Sequence, residues 1–284
     1  MIVVLGLIAG ALALVFLRAG APQVLASPVL ARENYRGHEV ATAAGILIVL
    51  SVLVVETGRA LLGALGVGDQ PGLTTDRTLV LFAVFGFGLL GLLDDLLGDG
   101  SARGFKGHVG ALLHGRITTG FLKLFGGAGV AVVLVATPGF ATGRRLIVDA
   151  VLIALAANLG NLLDRAPGRT LKCAAVAYVP LAIVLGTGAA GVAIAPAMGA
   201  AFALLPDDLS ERVMLGDTGA NVVGAVLGLG LVLGTGETTR LVALGVVVAL
   251  TVLAEVSSFS RIIDAVAPLR FLDRLGTTKA RRAA

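Results

Sequence analysis

Residues 87–100 read FGLLGLLDDLLGDG. The stretch closes an apolar run that begins near Thr78 and stops on two adjacent aspartates, Asp94 and Asp95. Residues 78–93 would form about 24 Å of helix, against a hydrocarbon core of about 30 Å. The pattern predicts a membrane-spanning helix with a carboxylate pair at its boundary. A carboxylate drawn inside that boundary costs on the order of 2.5–3.5 kcal/mol. Two adjacent ones also repel, so one moves toward its neutral form unless a cation is shared. Alone, the pair reads as a helix end reaching water. Beside other polar groups at the same edge it reads as one wall of a site.

The composition extends the membrane reading to the whole chain of 284 residues. It is 57% hydrophobic and 14% charged, where soluble domains carry about 25% charged residues. Its mean hydropathy is +0.97. The 40 glycines suit closely packed membrane helices and leave room for a homodimer. The single cysteine, Cys173, cannot form an internal disulfide, and no Cys/His spacing points to zinc.

About nine apolar segments follow one another, at 1–17, 40–55, 78–93, 121–138, 146–163, 171–187, 189–206, 219–235 and 238–256. The expected fold is an all-α polytopic membrane protein with about nine transmembrane helices. Residues 1–17 lack a preceding basic stretch and are followed by Arg18, so a first spanning helix is expected rather than a signal peptide. With the N-terminus outside, the odd-numbered loops hold 17 of the 22 Lys and Arg residues. That bias obeys the positive-inside rule and places those loops in the cytoplasm. The pI of 9.7 then reflects topology, and no nucleic-acid partner is expected. Residues 1–256 form the transmembrane domain. Residues 257–284 form an Arg-rich cytoplasmic tail, in which FSRIIDAVAPLRFLDRLG (259–276) is expected as an amphipathic helix on the anionic leaflet and TTKARRAA (277–284) as disordered.

The polar motifs fall on the cytoplasmic side. In NLGNLLD (158–164), Asn158, Asn161 and Asp164 step by three residues along one helical face. Carboxamides there can form an interhelical seam, or bind a nucleotide or sugar, or ligate Mg²⁺ through oxygen. In MLGDTGANVVG (214–224), Gly216 and Gly219 flank Asp217 and Thr218 at the start of a helix. Such a segment can be an ordinary cap or a place where a phosphate meets free N–H groups and Asp217 meets a metal. Lys123 opens an apolar helix at the same edge and can reach a phosphate. Arg103, Lys106, His108, His114 and Arg116 read as solvated loop charges. Carboxylates, amides, glycine and lysine are the parts of Mg²⁺-assisted phosphoryl transfer, although no P-loop or GxGxxG is present.

Four segments in order resemble the bacterial polyprenyl-phosphate sugar-1-phosphate transferases, the group that includes phospho-N-acetylmuramoyl-pentapeptide transferase. NYRGHEVATAAGI (34–46) is similar to the family's Asn-x-Arg-Gly…Pro-Thr-x-Gly-Gly-Ile segment. GLLDD (91–95), NLGNLLD and MLGDTGA (214–220) are similar to its Asp-Asp, Asn-x-x-Asn-x-x-Asp and Met-Gly-Asp-Thr-Gly-Ser segments. The resemblance implies an active site in a cytoplasmic cleft of a bacterial plasma-membrane protein. It implies transfer of a sugar-1-phosphate from a UDP-amino sugar to a polyprenyl phosphate, with Mg²⁺ and release of UMP, in cell-wall (peptidoglycan) glycan synthesis. Asp94, Asp95 and Asp217 would be catalytic, with Asp94 and Asp95 orienting or deprotonating the lipid phosphate. Asp217 and Asn161 would hold the metal. Asn158, Asp164, Lys123 and Gly216 would bind substrate. The chain departs from the family at Arg165 and Pro167, where Gly and Asp are usual, at Ala41 or Ala43, where Pro is usual, and in 267–274, which has no histidine. Arg165, Arg169 and Arg270 stand as substitute phosphate contacts. A non-catalytic relative that binds lipid or nucleotide as an envelope-assembly partner remains open on these departures, and so does a carrier, to which Glu255 would belong.

Overall fold

The computed structural model describes residues 1–34, 36–68, 73–98, 118–136 and 142–278. Arg103, Lys106, His108, His114, Arg116 and residues 279–284 lie outside them. Nine helices of at least 17 residues follow one another among the described residues. They are α1 (Ile2–Gly20), α2 (Ile46–Ala64), α3 (Thr75–Leu97), α4 (Thr119–Val135), α5 (Gly143–Leu163), α6 (Arg169–Leu185), α7 (Ala189–Leu209), α8 (Gly216–Gly234) and α9 (Glu237–Val256). Seven of these, all but α4 and α6, are long and apolar enough to cross a membrane. The chain is a helical, membrane-embedded protein.

The helix ends depart from the hydropathy. The apolar segment 40–55 does not begin as helix. Glu39–Ala41 forms strand β2, antiparallel to β1 (Ala31–Glu33), with Arg32 opposite Val40. α2 then runs on to Ala64, so Arg59 is helical and pairs with Glu56 at 2.8 Å. α3 begins at Thr75, where the Thr74 hydroxyl caps the Arg77 N–H, and continues past the aspartates to Leu97. α7 likewise continues to Leu209, which puts Asp207 and Asp208 in its last turn. In each case a charged residue that would end a lipid-facing helix is paired inside the protein. α6 and α7 are separate helices, in line with the segments 171–187 and 189–206, and α6 ends at Gly186, which stands at φ +51.

α8 is the centre of the bundle. Residues 218–226 are buried without exception, and the helix packs on α2, α3, α5, α6 and α7. Glycine makes this possible at two crossings. A methyl group on Gly91 of α3 would collide with the Asp217 carbonyl, and one on Gly224 of α8 would collide with the Ala156 carbonyl of α5. Backbones meet there with no side chain between them, as small residues allow. At the far end of the bundle, buried ion pairs tie the helices again: Arg77 to Glu56 at 2.5 Å and Arg240 to Asp149 at 2.6 Å.

The tail is two short helices rather than one. α10 (Phe259–Ala265) and α11 (Ala267–Arg274) meet where Pro268 stands in the first turn of α11. α11 is pinned by Arg169, whose Nε and Nη2 donate to the two Asp273 oxygens at 2.8 and 3.0 Å. Thr277 is buried, and the Thr278 hydroxyl donates to Glu211 at 3.2 Å. These two residues are therefore docked rather than disordered.

The glycine crossings give a direct check. Gly224→Val is expected to destabilise the protein by about 1–3 kcal/mol through overpacking. Gly245→Val, on α9 with nothing within 4 Å of the added carbon, should leave the melting temperature unchanged. Thermal unfolding of the two variants in detergent measures the contrast.

Candidate functional site

Three helices bring charge to one end of the bundle. α3 supplies Asp94 and Asp95 in its last turn, α4 supplies Lys123 in its first turns, and α8 supplies Asp217 in its first turn. Lys123 Nζ donates to Asp94 Oδ2 at 3.2 Å and makes a shorter contact with Asp217 Oδ2. One ammonium thus holds two carboxylates that would otherwise repel across the α3–α8 crossing. All three side chains are largely withdrawn from solvent, so the attraction is weakly screened.

Asp95 is engaged differently. The residue before α8 is Leu215, whose side chain cannot accept a hydrogen bond. Asp95 does so from the neighbouring helix. Its Oδ1 accepts from the Asp217 N–H at 3.0 Å, and its Oδ2 accepts from the Thr218 N–H at 2.9 Å and the Thr218 hydroxyl at 2.6 Å. This is an N-cap supplied by another helix, with the charge favoured by the helix dipole. Gly216 makes room for it. It sits at φ +71, and an added methyl would lie 2.7 Å from Asp95 Oδ2 and from the Ala43 N–H nitrogen.

The segment 30–45 braces the same end. Arg32 Nη2 donates to the carbonyls of Asp95 and Leu96, both at 3.1 Å, and so caps the end of α3. Met214 donates to the Ala41 carbonyl at 2.7 Å, and Gly45 donates to that of Leu215 at 2.9 Å. Ala43 stands at φ +56, a conformation closed to proline. The family-like Pro therefore cannot occupy position 43 in this backbone. Asn34 and Arg36 both reach Glu211, at 3.0 and 2.8 Å.

Beside this cluster opens a cavity of about 590 Å³ lined by Glu33, Asn34, Asp164–Pro167, Asp208, Glu211, Val213 and Met214. Asp164 ends α5 and accepts from the Thr170 hydroxyl at 3.3 Å. Burial, and then the carboxylates of Asp208, Asp217 and Asp95, push Asp164 well above the usual carboxylate range. Asp208 Oδ2 accepts from the Gly168 N–H at 2.8 Å, which holds the turn after Asp164.

Of the residues expected from the sequence, Asp94, Asp95, Lys123, Asp217 and Gly216 meet in one contact network, with Asp164 electrostatically coupled to it. Asn161 Nδ2 is buried without a partner among the described residues, and the Asn158 side chain on α5 forms no hydrogen bond among them. Arg169 does not serve as a free phosphate contact, because Asp273 holds it. Arg165 lines the cavity and is exposed. Arg270 is exposed and donates to the Asp264 carbonyl at 3.0 Å. The motifs named Thr218 but did not single out Arg32, Asp208, Glu211 or Asn221. Asp208 and Glu211 stand in an acidic run that the sequence displays, and Asn221 lies within the segment 214–224. Arg32 gains its place only through its contacts with the end of α3.

The donor set bears on a metal. Among the described residues, no three His, Cys, Asp or Glu side chains are grouped to hold one. Two carboxylates already share one cation, however, and Mg²⁺ takes one or two protein carboxylates and completes its shell with water and phosphate. Asp94 and Asp217 are carboxylates of that kind, but both are engaged by Lys123 in this structure, and no contact among the described residues joins Asn161 to either. Asp95 is committed to the α8 cap. Comparison with protein-family models and with curated proteins gave no match for this chain.

Two outcomes test these assignments. Asp95→Ala is expected to cost about 1–2 kcal/mol of stability through the lost cap, and Asp94→Ala less, because Lys123 keeps Asp217. Chemical denaturation of both variants decides it. For Asp164, the raised pKa means its contribution is present below the ordinary value of about 3.9. It is lost as pH rises through the elevated one. Stability of the wild type relative to Asp164→Asn should therefore fall with rising pH across that window, as melting curves over pH would record.

Proposed function

We propose that the protein transfers a sugar-1-phosphate from a UDP-amino sugar to a polyprenyl phosphate, at the cytoplasmic face of a bacterial plasma membrane. The observation that carries this reading is the contact of Lys123 with Asp94 and Asp217, three residues from three helices at one end of the bundle. A lipid phosphate anchored in the membrane would arrive at that edge, and the cavity beside Asp164 offers the soluble donor a place. The positive-inside bias supports the cytoplasmic orientation.

In this mechanism an oxygen of the lipid phosphate forms a bond to the β-phosphorus of the nucleotide sugar. The bond from that phosphorus to the bridging oxygen breaks, and UMP leaves with the oxygen. Lys123 turns its ammonium to the phosphates and offsets the charge that builds on them. Asp94 orients the lipid phosphate and accepts its proton where one is present. Asp95 keeps the first turn of α8 fixed, and with it Asp217. Asp164 and Asn158 accept and donate hydrogen bonds to the nucleotide sugar. Mg²⁺, held by Asp217 and Asn161, would supply charge neutralisation of the diphosphate.

Family features missing from the sequence bear on the donor. Arg165 and Pro167 line the cavity, so the departures fall where the nucleotide sugar would be chosen. The non-catalytic reading shares the phosphate site and differs only in turnover.

Detergent-purified protein with Mg²⁺ and a polyprenyl phosphate should release UMP from at least one UDP-amino sugar. Asp94→Asn and Asp217→Asn should each lower kcat by about 100-fold or more. Full activity in both variants would remove these residues from the mechanism, and no release across a panel of UDP-sugars would favour the non-catalytic reading.

A further inference from the structure

Asn221 lies on α8, four residues after Asp217, and is 2% exposed. Among the described residues its Nδ2 has no hydrogen-bond partner. A buried amide donor left unpaired is costly, and a native protein that keeps one uses it or fills it. At 100° per residue, Asn221 stands about 40° around the helix from Asp217 and about 6 Å further along it. The two are neighbours on one face, where carboxamide and carboxylate readily pair.

The packing fixes where that face looks. On one side, Gly88 and Gly91 of α3 lie against Val222 and the Asp217–Thr218 backbone. On the other, Gly160 and Ala156 of α5 lie against Ala220 and Gly224. The Asp217–Asn221 face falls between these contacts. It is also the side from which Lys123 of α4 reaches Asp217. Asp217 thus has two groups able to satisfy it, and in this structure Lys123 does so while Asn221 is idle.

We propose that Asn221 is a positioning residue whose carboxamide takes the Asp217 carboxylate when Lys123 turns to a phosphate ligand. The two side chains suit the two tasks. Lysine has a long flexible stem and a charge that is useful on a phosphate. Asparagine is short, neutral and fixed by its burial. The exchange keeps Asp217 hydrogen-bonded and oriented while the positive charge moves. The identity of the phosphate rests on the proposed function. The coupling of Lys123, Asp217 and Asn221 does not.

The test is a double-mutant cycle on the full chain in detergent, read by thermal unfolding. Asn221→Leu keeps the volume and removes the idle donor, so its melting temperature should equal or exceed that of the wild type. Lys123→Met should lower it, and the double variant should lose more than the two single changes combined, because nothing then satisfies Asp217. Lys123→Gln replaces Lys123→Met in the cycle if the latter does not fold. Added undecaprenyl phosphate should raise the melting temperature of the wild type more than that of Asn221→Leu. In the UMP-release assay, kcat of Asn221→Leu should fall about tenfold or more with KM for the UDP-sugar unchanged. Additive losses in the cycle, or equal lipid-phosphate shifts in wild type and Asn221→Leu, would overturn the proposal. Coupling in the cycle with no UMP release from the wild type would support the role of Asn221 and count against the proposed transfer.

Discussion

The ammonium of Lys123 is the contact on which the candidate site depends. Asp94 and Asp217 arrive from helices that are apolar along most of their length, and they meet where both are largely shielded from water. Without a shared cation, that meeting would cost several kcal/mol. The surrounding construction holds the three residues in place. Asp95 caps α8 from α3, Arg32 caps α3 from the hairpin side, and Gly91 lets the two backbones touch. A cation at this point is thus demanded by the packing, and a ligand that draws Lys123 away has to leave something in its place. On the proposed reading the neutral Asn221 carboxamide keeps Asp217 hydrogen-bonded, while its charge would have to be met by a cation.

The two ends of the bundle use charge differently. At the far end each buried carboxylate meets two arginines, Glu56 with Arg77 and Arg59 and Asp149 with Arg240 and Arg145. At the Asp94 end, among the described residues, Asp94 and Asp217 share a single lysine. Asp164, Asp208 and Glu211 line one cavity with Arg165, and burial first, then the neighbouring carboxylates of Asp208, Asp217 and Asp95, hold Asp164 toward its neutral form. An excess of buried acid is a poor structural device and a reasonable chemical one.

Much of the helix order was legible in the sequence. Each apolar segment has its helix, and the break between α6 and α7 falls at Gly186, where glycine removes the barrier to a positive φ. The ends were harder, for a physical reason. Hydropathy scores each residue as if it faced lipid, so it stops at Asp94 and at Asp207. The real helices continue because Lys123 and Arg18 are there to receive those charges. Residues 40–45 are apolar enough to read as membrane helix, yet they pair with β1 and with 213–215, contacts that no local pattern announces. Within the site, residue type alone singled out Asp94, Lys123 and Asp217. It could not divide labour between Asp94 and Asp95, since only the fold reveals that α8 lacks its own cap. It also could not tell that Arg169 is spent on Asp273, 104 residues away, or that Asn221 shares the face of Asp217.

On the proposed reading, this end of the bundle holds a lipid phosphate through Lys123. Native mass spectrometry of the detergent-purified protein with undecaprenyl phosphate and with undecaprenol puts that to the test. A retained adduct with the phosphate is expected, with little for the alcohol and loss of the phosphate adduct in Lys123→Gln. Equal retention of phosphate and alcohol, or a phosphate adduct unchanged by Lys123→Gln, would contradict that reading.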